Sequence, residues 1–360
     1  MLQANCTGCS ACGAVCPTNA ISMQPAADGF LYPVKDEALC CGCGLCEQVC
    51  PITKEPAQSE NAFFAVRNKD ISQRLESTSG GAFRLLAEQH LGKGGVVFGA
   101  AFDDVFHVVQ TKAQDTQSLQ KLLGTKYVQS DAADSFRLVK ALLQQGTPVL
   151  YCAGPCMVQG LLSYLGDDRD GLTAVDHICY GVPSPGFWQA YVTYLEKEHA
   201  GKLERFTFRD KRKPDSGHSI SYQIGGKETA GALNDNRWCR IFFKNLSLRS
   251  SCFHCKYCSP SRHSDITIGD FWGIENCCPE LEDGYGVSLV ISHSPKGLQC
   301  LQEVLPRCDW KEVTQEQAMQ PRLQESAKEP MLRRFFLQDL QRAGGAENCD
   351  MAIMLKKYGV

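Results

Sequence analysis

The chain has 360 residues, of which 43% are hydrophobic and 21% charged, with a formal net charge of −3 at pH 7. This composition is typical of a folded globular protein, and it excludes a disordered chain and a broad basic surface for nucleic acid or anionic lipid. No apolar run approaches the roughly 18 residues that span a bilayer, and the first residues lack the basic and apolar parts of a secretory signal. We therefore expect a cytoplasmic protein with protein and small-molecule partners, no nucleic acid and no integral membrane segment.

Cysteine is the unusual residue of this chain, with 21 copies. In the absence of an export signal, so many cysteines favour metal binding over a disulfide framework. Their odd number also argues against complete pairing. The spacing of these cysteines therefore carries most of the functional information.

Two cysteine runs near the start share the spacing C-x2-C-x2-C-x3-C followed by proline. The runs are Cys6, Cys9, Cys12 and Cys16, and Cys40, Cys43, Cys46 and Cys50. In this spacing three thiolates of one run bind one four-iron cluster, and the fourth cysteine binds the cluster of the other run. We predict a first set of ligands, Cys6, Cys9, Cys12 and Cys50, and a second set, Cys40, Cys43, Cys46 and Cys16. Zinc sites and disulfides are the alternatives, although zinc sites usually combine two well separated C-x-x-C pairs.

The chain beyond residue 60 alternates apolar runs with amphipathic stretches, a rhythm typical of an α/β fold. Strands are predicted at 62–67, 96–102, 105–111, 149–153, 174–179, 266–268 and 287–293. Helices are predicted at 82–91, 134–145, 157–165 and 187–199, with a β segment at 205–227 and a helical segment at 324–343. The predicted fold is an α/β catalytic domain with a small α+β ferredoxin-like N-terminal domain.

Seven short strings follow one another in the second part of the chain. They are STSGGAF at 77–83, GTKYVQS at 124–130, GPC at 154–156, ICYGVPSP at 178–185, FRDKR at 208–212, RSSCFHC at 249–255 and SDITIGDFWGI at 264–274. With these strings the chain resembles the coenzyme F420 hydrogenase/dehydrogenase beta-subunit family, whose members are flavoproteins with iron–sulfur clusters. The resemblance covers roughly residues 60–310, and it departs from the family's usual pattern at Gly154, Met157 and Tyr180.

The resemblance and the cysteine runs together predict three units. These are a two-cluster ferredoxin-type domain at 1–55, a flavin and iron–sulfur domain at 60–323 with parts at 60–145 and 146–310, and a helical tail at 324–360. A polar linker at 52–61 separates the first two units.

A third group of cysteines is predicted in the catalytic domain. Cys156 follows a strand and begins a helix, and Cys179 ends the next strand, so both would lie at the carboxyl edge of a parallel sheet, where α/β proteins bind ligands. Cys252 and Cys255 form a C-x-x-C pair that could fold over the same edge. We predict that these four bind a third [4Fe-4S] cluster, a grouping that the resemblance also implies. Cys258 is the natural substitute, and structural cysteines or zinc are the alternatives.

The resemblance implies FAD as the second kind of cofactor. The loop at 77–81 precedes an amphipathic helix, so its hydroxyls and amides could hold a phosphate, although they could equally form an ordinary helix cap. Lys126 beside Tyr127 would suit a reduced, negatively charged flavin ring, whereas a solvated lysine is the plain alternative. The predicted cofactor-binding residues are Ser77, Ser79, Gly80, Gly81, Lys126, Tyr127, Gln129, Ser130, Phe271 and Trp272.

The catalytic candidates are two histidines and a carboxylate. His177 and His254 could donate protons, and Asp270 follows a β-branched strand and leads two aromatic residues into a turn that could wall the flavin or the substrate. Core packing of those two aromatic residues is the alternative. The charged run Arg209, Lys211 and Arg212 could bind an anionic tail or form a solvated face.

These features predict an oxidoreductase in which ferredoxin or a similar donor reduces the clusters and FAD exchanges a hydride with an organic or deazaflavin acceptor, in either direction. Coenzyme F420 is one possible substrate, and a homo-oligomer is possible. A flavin would explain why cluster-binding and substrate-binding features occur in one chain, because it converts one-electron chemistry into two-electron chemistry. The alternatives are an electron-relay subunit of a larger complex without a substrate site, and a zinc or scaffold protein without redox chemistry.

Overall fold

The computed structural model describes residues 5–55, 60–132, 134–212 and 219–359. Part of the predicted linker, residues 56–59, lies outside these ranges. The strands are, in chain order, β1 (Ile21–Pro25), β2 (Leu31–Lys35), β3 (Ala62–Asn68), β4 (Val96–Phe102), β5 (Val108–Ala113), β6 (Val149–Ala153), β7 (Leu172–His177), β8 (Leu203–Asp210), β9 (Ser219–Ile224), β10 (Lys227–Ala232), β11 (Ile266–Asp270), β12 (Ser288–Ser292) and β13 (Cys308–Val313).

The helices are, in chain order, α1 (Ala11–Val15), α2 (Leu45–Gln48), α3 (Ile71–Leu75), α4 (Ala82–Gly92), α5 (Thr116–Leu119), α6 (Ser135–Gln144), α7 (Pro155–Leu165), α8 (Pro185–Glu198), α9 (Arg237–Phe243), α10 (Ile274–Cys277), α11 (Pro295–Val304), α12 (Gln315–Ala318), α13 (Leu332–Arg342) and α14 (Met351–Tyr358). None of the helices in these described ranges has both the length and the apolar character needed to cross a bilayer.

The N-terminal region combines one β-hairpin with two short helices. β1 and β2 pair antiparallel, with Ile21 opposite Lys35 and Pro25 opposite Leu31. Each short helix begins within a cysteine run, and Cys16 and Cys50 follow the two helices in almost the same extended conformation, with ψ of 115° and 120°. The repeated spacing therefore produces a repeated local structure.

A large mixed sheet forms the centre of the rest of the chain, in the strand order β13-β3-β12-β11-β7-β6-β4-β5. The four middle strands β11, β7, β6 and β4 are parallel, and the flanking pairs are antiparallel. β6 and β7 are almost entirely buried, as is usual for parallel strands that are covered on both faces. Their carboxyl ends lie side by side, at the edge where α7 and the segment after β7 begin.

Sequence chemistry explains how the helices at this edge begin. Pro155 occupies the first position of α7, where its missing N–H costs nothing. α8 also begins with a proline, and the hydroxyl of Ser184 accepts a hydrogen bond from the Phe187 amide at 3.2 Å. This N-cap satisfies one of the free amides of the first helical turn.

A second, three-stranded antiparallel sheet, β10-β9-β8, packs with α8, α9, α13 and α14 around an aromatic core. Trp188 and Trp238 lie at its centre with ring centroids 5.2 Å apart, and the Trp188 indole donates to the Phe106 carbonyl at 2.7 Å. Phe336 of α13 and Tyr358 of α14 are buried in the same core. The predicted helical tail is therefore integrated into the packing of the domain.

The predicted fold class is confirmed, since an α/β region with a large sheet follows a small α+β region. Two strand boundaries were wrong. The strand expected at 105–111 begins at Val108, because Asp103 accepts the amides of Val105 and His107 in a turn where Phe106 has a φ of 62°. The strand expected at 174–179 ends at His177, so Cys179 lies in the loop beyond the sheet.

Candidate functional site

The two N-terminal cysteine loops share an unusual backbone conformation. Gly8 and Gly42 precede the second cysteine of each run, with φ of 71° and 70°, and Ser10 and Gly44 follow it, with φ of 66° and 73°. Left-handed residues alternating in this way form a concave loop whose amides bind anions, as at many iron–sulfur sites. The backbone of both loops therefore fits the predicted clusters. We call residues 6–12 the inner loop and residues 40–46 the outer loop.

The structure brings the four thiols of the first set together. Burial raises the pKa of Cys9 to about 11, and the neighbouring thiols of Cys6 and Cys50 contribute to this increase. Burial likewise raises the pKa of Cys12 to about 12, with contributions from Cys9, Cys6 and Cys50. Thiols so close together favour their neutral forms, unless a cationic group such as iron compensates their charges.

In the second set, burial raises the pKa of Cys46, and Glu47 and Cys43 add to the effect. The fourth predicted ligand, Cys16, accepts a hydrogen bond from the Ala20 amide at 3.2 Å. Such amide donors commonly support cluster thiolates, because they stabilise negative charge on sulfur.

The two loops differ in their surroundings. Cys9 of the inner loop is buried, whereas Cys41 and Cys43 of the outer loop are exposed. A Cβ atom on Gly42 would meet no atom within 4 Å, but one on Gly8 would lie 2.6 Å from Nη1 of Arg249. The inner loop therefore packs against the large domain, and the outer loop faces solvent.

The third set of thiols converges at the carboxyl edge of β6 and β7. Cys156 lies in the first turn of α7, Cys179 follows β7, and Cys252 belongs to a short 3₁₀ turn that spans residues 250–254. Burial raises the pKa of Cys156 well above its ordinary value, and Cys179, Cys255 and Cys252 increase it further. All four predicted ligands of the third cluster are therefore close neighbours.

Two buried side chains next to these thiols have donor atoms without a hydrogen-bond partner among the described residues. Arg262 is 3% exposed, and its Nε and Nη2 are unbonded, although Nε lies 3.3 Å from a carboxylate oxygen of Asp176. The hydroxyl of Tyr257 is likewise buried and unbonded. Arg262 lowers the pKa of Cys255, and Cys156 raises that of Tyr257 after burial, so both donors lie near the third set. Buried donors require acceptors, and an anionic iron–sulfur group held by these thiols would supply them.

Within the described residues, no three histidine, cysteine, aspartate or glutamate side chains are grouped so that they could hold a single metal ion. Cys258 adds a fifth thiol to the third set, since it lies beside Cys255 and lowers the pKa of Cys255.

A cavity of about 430 Å³ joins these elements. Its wall includes Thr7 of the inner loop, and Cys156 and Cys179 of the third set. Eight further predicted residues line it together with the two candidate groups His177 and Asp270. Those eight are Ser77, Ser79, Gly81, Lys126, Tyr127, Gln129, Ser130 and Trp272.

Three predicted residues lie elsewhere. Gly80 packs against β3 and β12, where an added Cβ would be 2.2 Å from the Val66 carbonyl oxygen. Phe271 is buried in a hydrophobic cluster, as its core-packing alternative predicted. His254 is exposed and does not line the cavity, although it lies between two cysteines that converge beside it.

The predicted phosphate loop uses its serine hydroxyls internally. Ser77 donates to the Gln73 carbonyl and Ser79 to the Val287 carbonyl, both at 2.7 Å, and the Gly80 amide donates to the Ser288 hydroxyl at 2.9 Å. The expectation that these two hydroxyls and the Gly80 amide are available donors is therefore corrected. They fix the loop in place.

Two threonines that the sequence analysis overlooked are better placed. The hydroxyls of Thr78 and Thr125 lie 3.0 Å apart, and both residues line the cavity. Thr78 lies in the string at 77–83 and Thr125 in the string at 124–130, and both strings carry the family resemblance. Their place in these strings was the signal by which the sequence could have indicated a site at the two threonines.

Lys126 lies in the cavity wall and is not a solvated surface lysine. Its ammonium donates to the carbonyls of Lys121 and Leu123 at 3.0 and 2.8 Å. Burial lowers its pKa to about 7. The ammonium form of this side chain is therefore less favoured than that of a solvated lysine.

The charged run at the end of β8 divides between the interior and the surface. Arg209 lines the cavity and donates to Asp270 at 2.6 Å. Lys211 donates to the carbonyls of Arg74, Ser79 and Tyr285, and thereby ties three segments together. Arg212 forms the expected surface face, where it pairs with an acidic neighbour on β10.

His177 lies in the cavity wall beside Gly154. Burial, helped by the charge of Arg262, lowers its pKa to about 4. The neutral form of its imidazole is therefore favoured at pH 7.

Two family models match the chain. Residues 5–53 match the 4Fe-4S dicluster domain, and residues 146–316 match the C terminus of the beta subunit of coenzyme F420 hydrogenase/dehydrogenase. No curated protein gives a significant match. One similar solved structure is a chain of the F420-reducing [NiFe] hydrogenase complex from Methanosarcina barkeri, determined as a xenon derivative. It has 15% sequence identity and a TM-score of 0.47, covering 80% of this chain and 91% of that one.

The fold, the converging thiols and the two family matches define an iron–sulfur electron-transfer protein. Its relationship is to the beta subunit of coenzyme F420 hydrogenase and dehydrogenase, and the predicted resemblance is confirmed over the matched residues.

Proposed function

We propose that this chain is an FAD-dependent, ferredoxin-coupled oxidoreductase. In this proposal ferredoxin or a similar donor delivers electrons to the N-terminal clusters, and FAD exchanges a hydride with an organic or deazaflavin acceptor, or the reaction runs in reverse. The observation that carries it is one cavity whose wall contains Thr7 of the inner loop, two thiols of the third set and four of the five residues at 77–81.

The cysteines of the three sets would hold one [4Fe-4S] cluster each. Such clusters transfer single electrons, and a flavin would connect this transfer to two-electron chemistry. The exposed outer loop offers a partner protein access to the second set. The inner loop, where Cys9 is buried, and the third set both contribute residues to the cavity wall.

Several side chains of the cavity have properties that suit a flavin. Thr78 and Thr125 present hydroxyls for a phosphate, and Lys126 presents a cation. Tyr127 offers an aromatic ring, and Trp272, which is 52% exposed, is an aromatic part of the wall that solvent can reach. Asp270 accepts a hydrogen bond from Arg209, so we assign Asp270 the role of a positioning residue in the cavity wall.

The first test is the iron, acid-labile sulfide and flavin content of one anaerobically purified sample. Three four-iron clusters require about twelve irons, and the proposal requires about one flavin as well. A colourless protein without iron would contradict it. About eight irons without flavin would leave only the N-terminal clusters and favour the electron-relay function.

A cysteine variant tests the separation of the three sets. Cys156→Ala should remove about four irons, one cluster's content, and leave the N-terminal pair intact. Cys300→Ala is the matched control, because Cys300 lies on α11 outside the three sets, and it should retain all the iron. Loss of all the iron from Cys156→Ala alone would contradict the assignment.

An electron-relay subunit of a larger complex is the second candidate. The observation in its favour is an exposed apolar stretch at the start of α13, where Met331 is 91% exposed and Leu332 and Phe335 are more than half exposed. Turnover of an organic acceptor by the isolated, flavin-containing chain would decide against this candidate.

A further inference from the structure

Arg249 is a buried cation that connects the N-terminal region to the large domain. It is 1% exposed. Its guanidinium donates to the carbonyls of Cys6 and Leu31 at 2.6 and 2.8 Å, and to the side-chain oxygen of Gln129 at 2.9 Å. It also stacks over Tyr32, with its central carbon 4.3 Å from the ring centroid. A side chain with so many partners has a single, fixed position.

The thiol of Cys6 is the acidic partner of this cation. Nη2 of Arg249 lies 3.6 Å from Cys6 Sγ. The guanidinium's other hydrogen-bond acceptors within the described residues are two backbone carbonyls and an amide oxygen, which are neutral. A buried charge is costly unless a nearby charge compensates it. A thiolate of the first set would provide that compensation.

The backbone of Arg249 belongs to the third set's segment. Its amide donates to the Val182 carbonyl at 3.0 Å, three residues after Cys179, and its carbonyl accepts from the Cys252 amide at 2.9 Å. One residue therefore fixes the inner loop through its side chain and the segments of the third set through its main chain.

Resting on the proposed function, we infer that Arg249 is a positioning residue that raises the reduction potential of the group held by Cys6, Cys9, Cys12 and Cys50. Reduction adds one electron and no proton, so it adds one negative charge beside the guanidinium. A fixed cation stabilises the reduced form, because net charge and hydrogen bonds to sulfur control cluster potentials. The electron is taken from the ferredoxin-class donor and passed on towards the third set.

The test is a potentiometric titration of anaerobically purified protein. The electron paramagnetic resonance signal of the reduced clusters monitors this titration. Arg249→Gln should lower the potential of one cluster and leave the others unchanged. Arg249→Lys keeps the charge but lacks the planar fork that reaches all these partners, so its shift should be smaller. The expected order is wild type, then Lys, then Gln, and any other order in fully iron-loaded protein would overturn the inference.

Arg137 provides the matched control. It also binds the N-terminal region, donating to the carbonyls of Gly13 and Ala14 and to Asn19, but it is largely exposed and has no thiol partner among the described residues. Arg137→Gln should leave every potential unchanged. If Arg249→Gln fails to bind iron, the comparison of wild type with Arg249→Lys still decides the question.

Iron analysis of the wild-type protein separates the two levels of failure. Wild-type protein without the N-terminal clusters would contradict the proposed function itself. Fully loaded wild-type and Arg249→Gln proteins with equal potentials would overturn only the role of Arg249.

Discussion

Gly160 and Cys9 are in direct contact across the boundary between the N-terminal region and α7. A Cβ atom on Gly160 would lie 2.8 Å from Cys9 Sγ. Gly160 comes four residues after Cys156, so both residues lie on the same face of the helix. α7 therefore presents a predicted ligand of the third set and, one turn later, a close packing surface for the inner loop.

Gly160→Ala should displace the inner loop. The added methyl group overpacks the contact with Cys9, and we expect a loss of about 1–3 kcal/mol in stability, together with a lower iron content. Gly92→Ala is the matched control, since Gly92 is also helical but has open space around it. Thermal unfolding and iron analysis of both variants check this, and equal behaviour would contradict the contact.

Cys258 should act as a reserve ligand of the third set. Its thiol lies beside that of Cys255, so a small movement would bring it into the place of Cys255. We expect Cys258→Ser to keep about twelve irons, Cys255→Ser to keep part of the third cluster, and the double variant to keep about eight. Iron analysis checks this series, and a full complement in the double variant would remove both cysteines from the ligand set.

Lys126 should make flavin affinity depend on pH. Burial lowers its pKa from 10.5 to about 7, so the ammonium is charged at pH 6 and largely neutral at pH 8. We expect FAD to bind more weakly at pH 8 than at pH 6, and Lys126→Met to bind weakly at both values. Fluorescence titration of flavin-free protein measures this, and an unchanged pH dependence in Lys126→Met would exclude Lys126 as the cause.

The same pKa shift has a consequence for folding. The unfolded chain binds one more proton than the folded chain between about pH 7 and the ordinary lysine pKa of about 10.4. This group therefore makes the free energy of unfolding rise with pH across that window. The rise should be smaller in Lys126→Met than in wild type.

The Arg209–Asp270 pair should matter for stability. The two side chains are 2.6 Å apart and only 10% and 27% exposed. Asp270→Asn should cost about 2 kcal/mol, the value of a hydrogen bond to a charged group. Glu280→Gln is the control, because its pair with Lys311 is exposed and should change stability by less than about 1 kcal/mol. Equal unfolding midpoints for the two variants would contradict this role.

The sequence predicted the features that depend on local spacing. The two cysteine runs fold into matching loops because the glycines and the serine beside Cys9 and Cys43 adopt left-handed conformations locally. Cys156 and Cys179 meet because neighbouring parallel strands bring their C-terminal loops to one edge of the sheet.

Long-range contacts were beyond the reach of sequence reasoning. Ser79 is bonded to Val287, 208 residues away, and no local pattern indicates such a partner. The sequence likewise does not indicate the role of Arg249, since its contact with Cys6 spans 243 residues. His254 lies between two predicted ligands in sequence but is exposed, because a short 3₁₀ turn directs neighbouring side chains to different sides.

The burial of the inner loop has a consequence for the order of assembly. Arg249 and Gln129 cover this loop, and α7 closes it from another side through Gly160. We therefore expect iron and sulfide to enter the predicted first set before the N-terminal region docks onto the large domain. The outer loop has no such cover among the described residues, so we expect a cluster bound there to be inserted, lost and repaired in the folded protein.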